Sequence, residues 1–194
     1  MNIVVLERAT VGMDVSVNEF NRLGNVTVYD TTPIEEIANR VKDADIIIAN
    51  KRPLNEKTLK DAPNVKLICE LATGYDNVDL EYCKSRGIGV RNVKNYCTDA
   101  VVQHTFALCL YIFEKIHYYD NFVKSGEYSR LESFSYFARN FSELSSQTWG
   151  VVGMGAIGSK VADIAASFGC NVVRYSVRDN PSPSKYPALD FDEF

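Results

Sequence analysis

Short apolar runs separated by amphipathic stretches set the rhythm of the first hundred residues. Ile3 to Leu6, Val26 to Tyr29, Ile46 to Ala49, Leu67 to Glu70 and Ile88 to Val90 are rich in β-branched residues and read as strands. Between the second and third, Pro33 to Val41 reads as a helix. Pro33 suits a first turn, and Ile34, Ile37 and Val41 fall on one face. Strands that are apolar throughout and are joined by helices predict a parallel sheet covered on both sides.

The period then lengthens. From Asp99 to about Phe122 the apolar residues Phe106, Leu110 and Phe113 recur at helical intervals, and Thr98 is placed to cap a long helix linking two lobes. Residues 125–147, rich in Ser, Tyr, Phe and Arg, have no period and predict an irregular surface segment with short helical turns. At Thr148 the pattern changes to strand, glycine turn, helix through about Phe168, and a second strand from Asn171 to Tyr175. A Pro/Ser loop follows from Asn180 to Pro187, and the last residues read as the start of another helix.

Composition narrows the partners. The 194 residues are 46% hydrophobic and 24% charged with a net charge of −4, which gives no long-range attraction to nucleic acid or to an anionic membrane. The apolar run Thr105 to Phe113 is far shorter than the roughly 20 residues a bilayer requires. The start, Met1-Asn-Ile-Val-Val-Leu-Glu7, lacks the basic and cleavable parts of a secretory signal, so a cytoplasmic protein is expected. Five scattered cysteines without a C-x-x-C pair predict reduced, buried thiols, and the two histidines, His104 and His117, form no metal motif by spacing.

The motif that carries chemistry is Gly153-Met154-Gly155-Ala156-Ile157-Gly158. In a dinucleotide fingerprint the first glycine makes a tight turn, the second admits the pyrophosphate close to the backbone, and the third lets helix and strand pack closely. The amides that open the next helix then face the phosphates. An apolar strand precedes the motif, and a helix bearing Ile157, Val161 and Ile164 follows, as the motif requires. The acid that usually holds the ribose hydroxyls of NAD is absent: Ser176 stands 21 positions after Gly155, close to the roughly 20 expected. Ser176 does not repel a 2′-phosphate and Arg178 is able to neutralise one, which tilts the reading from NAD toward NADP. The alternative, Asp179 on the ribose with Arg178 a solvated loop residue, stays open.

Four segments taken in order, Ala49-Asn-Lys-Arg-Pro-Leu54, Leu71-Ala-Thr-Gly-Tyr-Asp-Asn-Val-Asp79, Asn95 to Ala107 and the glycine turn, resemble the D-isomer-specific 2-hydroxyacid dehydrogenases, and within them the glycerate dehydrogenases, or hydroxypyruvate reductases. The resemblance implies an α/β protein with a flavodoxin-like parallel-sheet substrate domain (1–98), an interdomain hinge helix (99–122) and an incomplete Rossmann NAD(P)-binding domain (123–194). It implies a cofactor in a cleft, a homodimer, and a small 2-keto acid as substrate. Thr73 and Gly74 would offer backbone amides to the substrate carboxylate, as successive amides in a turn do. Asn50 and Lys51 would meet the same anion, and Val101 would pack against the nicotinamide. His104 lies in the hinge-helix motif, where the resemblance gives it a structural role. Gln103 stands where many relatives have Glu and the glycerate subgroup has Gln.

Reduction of a 2-keto acid needs a proton donor for the forming alkoxide and a cation on the carbonyl. The resemblance assigns these tasks to an Arg, a Glu and a His in later parts of the nucleotide domain, so no catalytic residue is expected among these 194. A dinucleotide domain also needs more strands than residues 148–194 supply, which reads as truncation. Two other readings follow: a cofactor-sensing or interaction protein that keeps the dehydrogenase fold without turnover, and an inactive fragment.

Overall fold

The apolar runs of the first unit pair side by side as parallel strands. They are β1 (Asn2–Val5), β2 (Asn25–Val28), β3 (Ile46–Ala49), β4 (Leu67–Glu70) and β5 (Gly89–Asn92), in the spatial order β2-β1-β3-β4-β5. This is the doubly wound order of flavodoxin-like sheets. The computed structural model describes residues 1–12, 14–177 and 183–194. By their contacts these fall into two compact units, Met1–Tyr96 and Cys97–Phe194.

In the first unit, α1 (Ile37–Val41), α2 (Glu56–Leu59) and α3 (Leu80–Ser85) connect the strands. Side chains of successive strand residues point to opposite faces, so the sheet builds two cores. On one face Ile47 and Ile68 pack with Ile37, Val41, Leu54, Leu59 and Cys83. On the other, Ile3, Val5 and Ile48 pack with Phe20 and Val26. Helix α2 is closed by a reciprocal cap, in which Asn55 accepts from Lys57 N and Thr58 Oγ1 accepts from Asn55 N. Asp79 caps α3 by accepting from Tyr82 N at 2.9 Å.

One expected helix face does not form whole. Ile37 and Val41 are fully buried, but Ile34 is 58% exposed. Residues Ile34–Glu36 form a 3-10 turn ahead of α1, with Pro33 at its cap, and three residues per turn rotate Ile34 off the apolar stripe.

In the second unit, the single helix expected over 99–122 is two: α4 (Thr98–Phe113) and α5 (Ile116–Lys124). Lys115 between them is left-handed (φ 54°), which stops the hydrogen-bond ladder. The new direction lets Phe122 stack on Tyr136, ring centroids 3.9 Å apart, and so anchors the irregular segment that follows. The helix starts one residue earlier than expected, with Cys97 at the cap and Thr98 already helical. Phe106 is buried against Trp149 and Phe168.

Strand β6 (Thr148–Val152), helix α6 (Ala156–Ser167) and strand β7 (Asn171–Tyr175) make one βαβ unit, its strands parallel and in register from Thr148↔Asn171 to Val152↔Tyr175. Beyond β7, Arg174 N donates to Pro187 O and Leu189 N to Arg174 O, so the chain returns along the edge of β7. The helix start expected at the chain's end is a turn instead. Phe194 N donates to Asp190 O, and the Phe194 ring lies where a Cβ on Gly150 would come within 2.5 Å. Of the five cysteines, Cys83 and Cys170 are buried and the other three are half-buried. Among the described residues no group of acids, His and Cys is arranged to hold a metal, and no helix is long and apolar enough to cross a membrane.

The two positions that the helix stripe equated should separate on substitution. Ile37→Ala, at a fully buried site of the first unit, is expected to cost about 2–5 kcal/mol in urea unfolding. Ile34→Ala should stay within about 0.5 kcal/mol.

Candidate functional site

The glycine turn is built as its spacing predicts, and each glycine answers a different constraint. Gly153 follows β6 directly, has φ +87° and donates its amide to Tyr175 O at 2.9 Å, tying the turn to the end of β7. Gly158 lies in the first turn of α6, where a Cβ would come 2.0 Å from Gly153 O; the helix packs on the turn with no room for a side chain. Gly155 is the N-cap of α6, and a Cβ there would meet nothing within 4 Å. Packing within the protein therefore explains Gly158, whereas Gly155 borders open space on the side a ligand would approach.

The first amides of this helix lie ahead of its hydrogen-bond ladder. The first helical hydrogen bond of α6 runs from Ser159 N to Gly155 O, so those of Ala156, Ile157 and Gly158 have no acceptor within the helix, and Gly155 has no side chain to cap them. Ser159 Oγ donates to Met154 O and steadies the turn. Across the 12 residues of α6 the aligned peptide dipoles add positive potential at the same place. A pyrophosphate fits this donor set and this opening. Ile157, expected on the apolar face of α6, is 36% exposed beside the turn, while Val161 carries the packing.

Val101 is on α4 and 40% exposed. Ser176 follows β7, one residue beyond the Tyr175 carbonyl that holds Gly153. Arg178 and the alternative Asp179 lie outside the described residues. His104 and Gln103 are exposed on α4.

In the first unit the predicted substrate residues arise from adjacent strand ends. Asn50 and Lys51 follow β3; Thr73 and Gly74 follow β4; and Ala49 is paired with Glu70. Lys51 is left-handed (φ 63°) with its side chain in solvent, whereas Asn50 is buried. Thr73 and Gly74 are exposed, and the turn is fixed by Thr73 Oγ1 donating to Val93 O and Asn92 Nδ2 donating to Thr73 O.

Beneath these loops lies a set of residues that sequence reasoning passed over. Glu7 and Glu70 are only 3% and 1% exposed. Lys51 N and Asn77 Nδ2 donate to the two oxygens of Glu70, and Asn77 Nδ2 also reaches Arg52 O. Arg52 Nε stands 2.8 Å from Glu7 Oε1. Burial pushes both carboxyls above their ordinary range. For Glu7 it outweighs the opposing pull of Arg52, the Asn50 amide and Lys51, and for Glu70 it outweighs the hydrogen bonds from Asn77 and Lys51. The signal was present: each Glu ends an otherwise apolar strand run, at the sheet edge where ligands of parallel sheets bind.

The protein's relatives decide its family. The D-isomer specific 2-hydroxyacid dehydrogenase catalytic-domain family matches residues 3–178. The chain belongs to that family. The chain is 35% identical over 176 residues to the glycerate dehydrogenase of Methylorubrum extorquens, covering 90% of this chain and 55% of that protein. It spans about half the length of the curated relatives it matches. Its fold matches an acyclic imino acid reductase in complex with NADPH and D-Arg (TM-score 0.82, 28% identical, 100% of this chain and 61% of that one). It also matches the D-lactate dehydrogenase of Aquifex aeolicus complexed with NAD and lactic acid (TM-score 0.76, 27% identical, 97% and 55%). Both solved structures share the fold of this chain over nearly its whole length.

Two glycines of the turn should respond differently in the absence of ligand. Gly158→Ala is expected to lower the melting temperature of the second unit by several degrees, because the new Cβ meets backbone. Gly155→Ala should leave it unchanged, since the space is open. Differential scanning fluorimetry of the two variants checks both.

Proposed function

We propose that this chain provides the substrate domain and the phosphate-binding start of the nucleotide domain of an NAD(P)H-dependent reductase of small 2-keto acids such as hydroxypyruvate or glyoxylate. The observation that carries it is the open cradle at Gly153 and Gly155, with the unengaged amides of Ala156, Ile157 and Gly158 pointing where a pyrophosphate would sit. The name of the glycerate dehydrogenase relative supports the substrate class, and the NADPH- and NAD-bound neighbours support a nicotinamide dinucleotide.

A bound nicotinamide supplies the hydride. The residues of this chain do the holding. Gly153, Met154, Gly155, Ala156, Ile157 and Gly158 receive the pyrophosphate, and Val101 packs against the nicotinamide. Ser176 and Arg178 meet the adenosine ribose, where the lack of an acid at Ser176 leaves room for a 2′-phosphate and favours NADPH over NADH. The amides of Thr73 and Gly74 face the substrate carboxylate, and the exposed Lys51, next to Asn50, draws the anion to an otherwise acidic protein. No catalytic residue is assigned within these residues; the carbonyl-polarising Arg and the His–Glu proton donor belong to the rest of the nucleotide domain. The domain limits that go with this reading are 1–98, 99–122 and 123–194, in a cytoplasmic enzyme.

A homodimer is part of the same reading. Phe134, Phe137 and Ile112 of the second unit are 90%, 86% and 63% exposed, apolar side chains that a second copy would cover. Light scattering should return twice the chain mass for the whole protein, and Phe137→Asp should shift it toward one.

The cofactor reading predicts that NADPH raises the melting temperature of the chain, since a ligand that binds only the folded state stabilises it. Gly155→Ala should abolish the rise, and Ser176→Asp should shift the preference from NADPH to NADH. No rise with either dinucleotide at saturating concentration would remove the nucleotide site from the reading.

A further inference from the structure

Two buried acceptor atoms at the end of the first sheet lack a hydrogen-bond partner: Glu7 Oε2 and Asn50 Oδ1. Their residues are 3% and 8% exposed. They follow neighbouring strands, β1 and β3, which pair in parallel up to Val5↔Ile48, with Leu6 N donating to Ile48 O just beyond. The Asn50 amide N–H donates to the Glu7 carboxyl, so the two side chains share one strand end. Two lone acceptors there cost free energy, and one shared proton would satisfy both.

Arg52 Nε, also buried, meets Glu7 Oε1 as an ion pair and has no hydrogen-bond partner besides. Asn50 Nδ2 donates to Thr10 Oγ1, and Thr10 Oγ1 donates to Glu7 O. Glu70 uses both oxygens as acceptors, from Lys51 N and Asn77 Nδ2, so a proton on Glu70 would break a bond. A proton on Glu7 breaks none. The charged groups facing Glu7 are Arg52, Lys51 and Glu70. Arg52 is 29% exposed at its side chain, and its buried Nε still faces Oε1, which stays an acceptor when Oε2 holds the proton. Arg8 turns instead to the carbonyls of Val11, Gly12 and Val15.

We propose that Glu7 is a positioning residue which holds a proton on Oε2 and donates it to Asn50 Oδ1, fixing the Asn50 carboxamide and the Asn50–Arg52 turn that presents Lys51. The substrate half of this statement rests on the reading that Asn50 and Lys51 meet the 2-keto acid. The proton half does not.

The two halves are tested together in the 194-residue chain by melting from pH 4 to pH 9, with and without hydroxypyruvate, for wild type, Glu7→Gln and Glu7→Ala. Gln reproduces the protonated carboxyl, its amide donating to Asn50 Oδ1. Below the raised pKa of Glu7, wild type and Glu7→Gln should melt together. A carboxyl whose folded pKa lies above its ordinary 4.5 loses relative stability as pH rises from that value through the folded one, so wild type should fall below Glu7→Gln at higher pH. Glu7→Ala should melt lower than Glu7→Gln at every pH, by roughly 4–8 °C.

A Glu7→Gln protein that melts as low as Glu7→Ala throughout would overturn the proton and leave an ionised Glu7, bridged to Asn50 by water and paired with Arg52. Hydroxypyruvate should raise the melting temperature of wild type and Glu7→Gln, and Glu7→Ala should need roughly tenfold more of it. Equal responses from all three would overturn the positioning role while the pH series still decides the proton. No response from any, with the pH series as expected, would count against the substrate reading and detach Glu7 from it.

Discussion

Parallel pairing is the constraint from which the first unit follows. A parallel strand cannot return through a hairpin, so each must be followed by a crossover, and all the strands end on one edge of the sheet. In the order β2-β1-β3-β4-β5 the direction of winding reverses between β1 and β3, and the loops after those strands diverge there. Glu7, Asn50, Lys51 and Glu70 stand at that edge because they are the first residues past the apolar strand runs, or the last within them. Chemistry is confined to one rim by the topology of the backbone.

The second unit solves a different problem with the same geometry. Here the crossover from β6 is immediate, and the chain must reverse into α6 while keeping that helix close to the strand. Gly158 answers the close approach and Gly153 the left-handed backbone, so these two are required by folding alone. Gly155 is not. The contrast separates a structural glycine from one that leaves space for something outside the chain, a distinction that the motif's spacing does not make.

Buried carboxyls are tolerated in the first unit because nearly all of their oxygens are engaged. Glu70 is satisfied by donors from two loops, and in return it holds the left-handed backbone of Lys51 and, through Asn77, the carbonyl of Arg52. Glu70 thus braces the loop from below while Lys51 faces solvent above. The thiols are of another kind: burial raises the pKa of Cys83 and Cys170, which keeps them protonated and unreactive, as small apolar side chains.

The amino-acid pattern alone determined the strands, the parallel α/β class and the phosphate-binding turn, because alternation, β-branching and glycine spacing act over a few neighbouring residues. Ile46 to Ala49, Leu67 to Glu70 and Asn171 to Tyr175 form strands over the very residues that the pattern marked. Tertiary structure decided what depends on distant partners. It turned Ile34 outward, broke the long helix at Lys115 so that Phe122 could stack on Tyr136, and laid Phe194 on Gly150. It also brought Glu7 to Asn50 across 43 positions of sequence, and no local pattern records a hydrogen bond between two strand ends.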